Sequence, residues 1–169
     1  MIQSVDRAIR ILLALQGARR LSLTDLATQL GLPNSTVHGL LQTLTAHGMV
    51  EQEAGSLRYM LGPAVLRLSS VYLDSLEFRS RTLKWSEELA RRTGLAVRAG
   101  VLLLGDVIVV HHEPRPDGSR QMPEVGFVMP AHASALGKAI LAFRPEETTH
   151  LLSMTRLRSM TGETIVDPQ

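Results

Sequence analysis

Apolar side chains recur at three- and four-residue steps through the first third of the chain, then give way to alternation. Val5, Ala8, Ile9, Leu12 and Leu13 form one apolar face over residues 4–16, which predicts a first helix ended by Gly17. Leu23, Leu26, Ala27 and Leu30 predict a second, with Ser22 as N-cap, Asp25 completing a capping box and Gly31 as the stop. Pro33 suits the start of a third helix, about residues 33–47, whose apolar stripe is Val37, Leu40, Leu41 and Leu44. The opposite face carries Ser35, His38 and Gln42, with Asn34, Thr36 and Gly39 nearer the edge. Residues 49–53 and 57–61 predict two strands around the tip Ala54-Gly55-Ser56. That order of elements is a winged helix-turn-helix, a unit that lays one helix into the major groove of duplex DNA.

Gly62-Pro63 marks a break. Residues 64–76 predict a linker helix with Val65, Leu68, Val71, Tyr72 and Leu76 facing one way. A longer helix follows over about residues 78–93, through Trp85, Leu89 and Ala90, and stops at Gly94. Residues 95–104 and 107–112 are strand-like and joined at Gly105-Asp106, a hairpin signal. Residues 114–120 read as a loop, 125–129 as a short strand and 134–143 as a helix, and Pro145 opens another. The expected fold class is α+β. A winged helix-turn-helix covers residues 1–62, a linker helix 63–77, and an α/β domain with an antiparallel sheet 78–169.

The chain has 169 residues, 44% of them hydrophobic but only 4% aromatic, so aliphatic side chains must fill any core. There is no cysteine, which excludes disulfides and cysteine-based metal or nucleophile sites. Residues 1–15 lack the apolar core of a signal peptide, and the run 99–104 is far short of the about 20 residues that span a bilayer. A cytoplasmic protein with no membrane partner is expected. Net charge is +2, but residues 1–62 hold five arginines and four acids, only +1. Phosphate neutralisation dominates non-specific DNA affinity, so a single copy should bind weakly and a dimer would double the contacts.

Several stretches together are similar to one family. They are Ser4-Val5-Asp6-Arg7-Ala8, Gly31-Leu-Pro-Asn-Ser-Thr-Val-His38 and Tyr59-Met-Leu-Gly-Pro63, with Pro130-Ala-His-Ala-Ser-Ala-Leu-Gly-Lys-Ala139 and Leu141-Ala142 far downstream. In this order they resemble the isocitrate lyase regulator (IclR) family of bacterial transcription factors. The resemblance implies a winged helix joined by a linker helix to a GAF-like effector-binding domain with a curved antiparallel sheet. It also implies a homodimer or homotetramer that binds small organic acids or aromatic catabolites and most often represses catabolic operons. Two departures stand out. The family usually has Arg where this sequence has Gly39, and its effector domain normally continues past the position of Gln169, so the domain reads as incomplete.

Base readout is expected from Asn34, Ser35, Thr36, His38 and Gln42, a short-chained, nearly uncharged face that can approach base edges. Arg19, Arg20 and Arg58 are candidates for phosphate contacts. The alternative is a solvated face on a helix that merely packs. Downstream, His111, His112, Glu113 and His132 hint at zinc, but adjacent strand histidines point to opposite faces, so no metal is expected. Gly137-Lys138 lacks the other residues of a phosphate-binding loop, and Ser134 and Lys138 are four apart rather than three. No catalytic residue and no cofactor are therefore expected. Ser134 reads better as an N-cap, with amides near Ala135 and Leu136 facing an anion. His132, Ser134, Ala135, Leu136 and Gly137 are the candidate effector site, suited to a small carboxylate. The expected function is a ligand-responsive repressor on a pseudo-palindromic operator in double-stranded DNA. The alternatives are a constitutive DNA-binding module with a vestigial sensor half, or a metabolite-binding enzyme with a DNA-binding head.

Overall fold

The computed structural model describes residues 1–154 and 157–167. The chain divides into two compact units, Met1–Tyr72 and Leu73–Gln169.

In the first unit, α1 (Gln3–Ala18), α2 (Leu23–Leu30) and α3 (Asn34–Ala46) are followed by the antiparallel ribbon of β1 (Val50–Gln52) and β2 (Tyr59–Leu61). The local signals act as expected at α2. Asp25 N–H donates to Ser22 Oγ at 3.1 Å, Ser22 N–H donates to Asp25 Oδ2 at 3.0 Å, and Gly31 ends the helix at φ 66°. A helix of eight residues is marginal by itself. Packing holds it: Ile11, Leu15, Leu26, Val37, Leu41 and Val50 are essentially fully buried together. Each such side chain contributes about 1.5–3 kcal/mol.

Four details differ from expectation. α1 runs through Gly17 to Ala18 and ends in a γ-turn, with Arg19 at φ 64° and Arg20 N–H donating to Ala18 O at 2.8 Å. Its buried side is Ile11 and Leu15, whereas Val5, Ile9 and Leu13 are about half exposed. α1 thus has two apolar stripes, and only one is used within the unit. The strands are shorter than predicted, yet Leu21 pairs with Tyr59 across the base of the ribbon, through Leu21 N–H to Tyr59 O and Tyr59 N–H to Leu21 O. Gly62 is demanded by a close approach: a Cβ there would lie 2.2 Å from Gly48 O.

α4 (Ala64–Ser75) contains the boundary between the units and buries none of its residues. In the second unit, α5 (Glu77–Thr93) precedes a sheet ordered β3-β4-β5, of β3 (Val97–Leu103), β4 (Asp106–Glu113) and β5 (Val128–Pro130), all antiparallel. α6 (Ala135–Leu141) and α7 (Pro145–Met154) follow. Val107, Ala131, Leu151 and Leu157 form the buried core, with Leu102, Met129, Leu136 and Ile140 around them.

Three features of this unit correct the sequence-based expectation. The hairpin turns at Leu104-Gly105, one residue early, because a two-residue loop of this hand needs positive φ at both positions. Gly105 supplies 86° at no cost, and Leu104 adopts 51° with its side chain in solvent. α5 turns Ser86 and Ala90 inward, leaving Trp85 and Leu89 exposed. The strand expected at 125–129 starts only at Val128, since Gly126 at φ 87° turns the chain first. Among the described residues, no helix is long and apolar enough to cross a membrane, and no cluster of His, Asp and Glu could hold a metal ion.

Candidate nucleic-acid interface

α3 is anchored from behind and open in front. Val37 and Leu41 are completely buried against α1, α2 and the ribbon, while Leu40 and Leu44 pack partly against the same core. Because 3.6 residues make a turn, the side opposite Val37 and Leu41 must face outward. Asn34, Ser35, His38 and Gln42 are exposed there, and Thr36 is half-buried at the edge. Gly39 lies on this same exposed surface, with open space where a side chain would project. A rigid helix with four outward polar groups and no charged side chain can enter a groove and read base edges by hydrogen bonds.

Two of the three arginines expected at phosphates, Arg20 and Arg58, are engaged within the unit. Arg20 Nη1 is 3.0 Å from Glu53 Oε1, tying the loop after α1 to the ribbon. Arg58 Nη1 is 3.7 Å from Asp25 Oδ2, tying the ribbon to the first turn of α2. Both pairs are largely exposed, so phosphates can compete for the guanidinium groups. The Asp25 carboxyl is held below its ordinary range, first by the Ser22 backbone and hydroxyl hydrogen bonds and then by Arg58. Arg19 is exposed at the γ-turn. Arg10, which drew no attention in the sequence, donates to Leu30 O at 3.4 Å and so caps the end of α2.

In the second unit, Ser134 caps α6 as expected, its Oγ accepting from Gly137 N–H at 3.1 Å. Gly137 itself packs against backbone: a Cβ there would lie 2.2 Å from Ala131 O. Leu136 leans on the sheet at Gly100, and Ala135 is exposed. His132 lines a cavity of about 350 Å³ with Ala133, Lys138, Leu152 and Leu157, and its Nε2 is 2.9 Å from Arg158 O. Of the five candidate effector residues, His132 lines that cavity and Ser134, Ala135, Leu136 and Gly137 are not among its lining residues. His111 and His112 diverge as strand geometry requires. His111 Nε2 is 2.7 Å from Ser86 Oγ in the interior under α5, whereas His112 stands opposite Arg98 in the β3–β4 register.

Residues 4–54 match the IclR helix-turn-helix domain, and residues 70–169 match the bacterial transcriptional regulator IclR C-terminal domain. The chain is 45% identical over 168 residues to the glycerol operon regulatory protein of Streptomyces coelicolor, covering 99% of this chain and 66% of that protein. It is 47% identical over 167 residues to the glycerol operon regulatory protein of Streptomyces griseus, covering 98% and 65%. The chain thus spans slightly less than two thirds of the length of these relatives. A solved IclR transcriptional regulator from Alicyclobacillus acidocaldarius superposes with a TM-score of 0.79 at 30% identity, over 99% of this chain and 69% of that one. The three-helix unit with its ribbon, the helix-flanked antiparallel sheet of the second unit and these matches along nearly the whole chain place the protein in the IclR family of bacterial transcriptional regulators.

Proposed function

We propose that the chain forms the DNA-reading and sensing portion of a ligand-responsive transcriptional regulator, a repressor of a catabolic operon, acting as a homo-oligomer on a pseudo-palindromic operator. The observation that carries this reading is the division of α3: Val37 and Leu41 at 0% exposure on one side, and Asn34, Ser35, His38 and Gln42 outward on the other. Thr36 contributes from the edge. Arg19 contacts a phosphate directly, and Arg20 and Arg58 do so once DNA displaces their carboxylate partners. A catabolic target is supported by the two relatives named for glycerol operons. A second copy is supported by the unused stripe of Val5, Ile9 and Leu13 on α1 and by Leu66, Leu68 and Val71, exposed on α4.

The effector binds in the second unit near His132 and the start of α6, where Ser134, Ala135, Leu136 and Gly137 lie. Binding by itself regulates nothing. The ligand must favour one arrangement of the DNA-reading units over another. Selection of duplexes from a randomised pool, followed by anisotropy titration at fixed salt, tests the reading. A two-fold-symmetric consensus is expected. Gln42→Ala should weaken binding about tenfold or more, the worth of one good base contact. A pool with no consensus, together with unchanged affinity for Gln42→Ala, Ser35→Ala and His38→Ala, would remove α3 as the reader.

A further inference from the structure

The turn between β1 and β2 holds a leucine in a conformation that favours glycine. Leu57 sits at φ 55°, whereas Gly55 in the same turn lies outside the left-handed region. A bulky L residue there brings its Cβ against its own backbone, so such a residue is rare without cause. Internal packing supplies no cause. Leu57 is 66% exposed and takes no part in the buried core of the unit. The backbone around it is well bonded. Leu57 N–H donates to Glu53 O at 3.0 Å, Gln52 Nε2–H donates to Leu57 O at 3.1 Å, and Glu53 N–H donates to Arg58 O at 2.8 Å. Ser56 Oγ–H donates to the Glu53 carboxylate. These bonds fix the turn and hold the apolar side chain outward. Two ion pairs set the turn's place in the unit. Arg20 ties Glu53 to the loop after α1, and Arg58 ties the other side of the turn to Asp25 in the first turn of α2. In a helix-turn-helix the first helix of the pair crosses the phosphate backbone while the second enters the major groove. A turn fastened to the start of α2 therefore stands over that backbone, at the edge of the neighbouring minor groove. There it presents an apolar side chain next to the guanidinium of Arg58.

We propose that Leu57 is an apolar minor-groove contact: when α3 occupies the major groove, the ribbon turn lays this side chain against the sugars and floor of the adjacent minor groove, with Arg58 on the flanking phosphate. The inference rests on the DNA-reading role proposed above and adds a second, separate readout to it. Leucine is among the apolar residues that enter minor grooves, and the guanine N2 amino group, absent from A·T pairs, projects into that space. Leu57 thereby selects against G·C pairs at positions that α3 does not touch. Burial of its side chain on DNA offsets the cost of the left-handed backbone, which is uncompensated in the free protein.

Anisotropy titration of the full chain at low salt with three alternating duplexes, of A·T, inosine·C and G·C pairs, tests it. Inosine·C presents the major-groove groups of G·C but lacks the amino group in the minor groove, so base contacts by α3 do not distinguish the two. The wild-type chain is expected to bind the A·T and inosine·C duplexes about threefold or more tighter than the G·C duplex. Leu57→Gly should abolish that preference while keeping or raising the urea midpoint, since glycine accepts φ 55° freely. Leu57→Met, which keeps an apolar side chain, should retain the preference. Leu57→Ala repeats the comparison if the glycine variant loses its fold. Equal binding of inosine·C and G·C by the wild-type chain, or a preference that persists in Leu57→Gly, overturns the inference. Dependence of binding on Gln42 would then still support α3 as the reader. Binding of none of the three duplexes overturns the inference and the DNA-reading role together.

Discussion

Three glycines illustrate how much a single Cβ decides. Gly39 lies on the outward face of α3 with nothing near its missing side chain. Gly39→Ala should stabilise the unit by about 0.5–1 kcal/mol, since glycine inside a helix costs about that much, and a urea midpoint will read it. Gly39→Arg places a guanidinium among the proposed base-reading residues. It should tighten DNA binding and steepen the dependence of log affinity on log salt by about one unit, the signature of one added phosphate contact. An unchanged slope would place position 39 away from the backbone. Gly62 and Gly137 are the opposite case. In each, a Cβ would meet a carbonyl oxygen, of Gly48 or Ala131, at 2.2 Å. Backbone yields less readily than side-chain tips, so Gly62→Ala and Gly137→Ala should each cost about 1–3 kcal/mol, read as lower denaturant midpoints. Sequence punctuation marked Gly62 only as a break. The helix-end geometry it must pack against lies fourteen residues earlier and is not visible locally.

Among the elements, α5 meets the sheet through a polar contact, not only an apolar one. Ser86 Oγ–H donates to Leu83 O at 2.9 Å, which leaves the hydroxyl oxygen to accept from His111 Nε2–H. That arrangement places a proton on Nε2, and burial favours the neutral form of the ring. Burial pushes its pKa below the ordinary 6.5. Glu113 opposes that shift, while Arg79 and His112 reinforce it. The folded state thus binds fewer protons than the unfolded chain just below pH 6.5. Stability from the neutral ring is complete above that pH and is lost as pH falls through the lower folded value. His111→Gln, which keeps a donor for Ser86, should flatten the fall in stability on acidification from pH 6.5. Parallel urea titrations of the two proteins between pH 5 and 8 measure it. Identical profiles would show that other groups dominate. The pair was not legible in the sequence, where Ser86 is one polar residue in a helix and His111 one of two adjacent histidines. Only the packing of α5 on β4 selects the inward one.

At the scale of the whole molecule, the proposed assembly turns on the second stripe of α1. Val5, Ile9 and Leu13 recur at four-residue steps and remain about half exposed. Ile9→Glu puts a charge in the middle of that stripe without touching Ile11 or Leu15, so the unit should keep its fold. Sedimentation should then show dissociation toward monomer. Affinity for a two-fold-symmetric site should drop by about 10²–10⁴, because linked binding of two heads supplies that much. A dimer of unchanged stability would assign subunit contact to another surface, with the exposed apolar residues of α4 the next to mutate.

The sequence by itself determined the elements whose signals are local. Ser22 with Asp25, Gly31 and Pro33 bound the helices through backbone hydrogen bonds and φ preferences that act within a few residues. The stripe of Val37, Leu40, Leu41 and Leu44 decides which side of α3 faces in, and so which side is free for DNA. Tertiary structure alone decided which of the two stripes on α1 is buried. It also decided that Arg20 and Arg58 rest on Glu53 and Asp25, that Leu136 and Gly137 pack against Gly100 and Ala131, and that Arg98, Arg115 and Arg120 line one concavity. The two ion pairs, Arg20 with Glu53 and Arg58 with Asp25, each join residues thirty-three apart in sequence. Such contacts depend on how the chain closes over its core, and short-range periodicity carries no information about that closure.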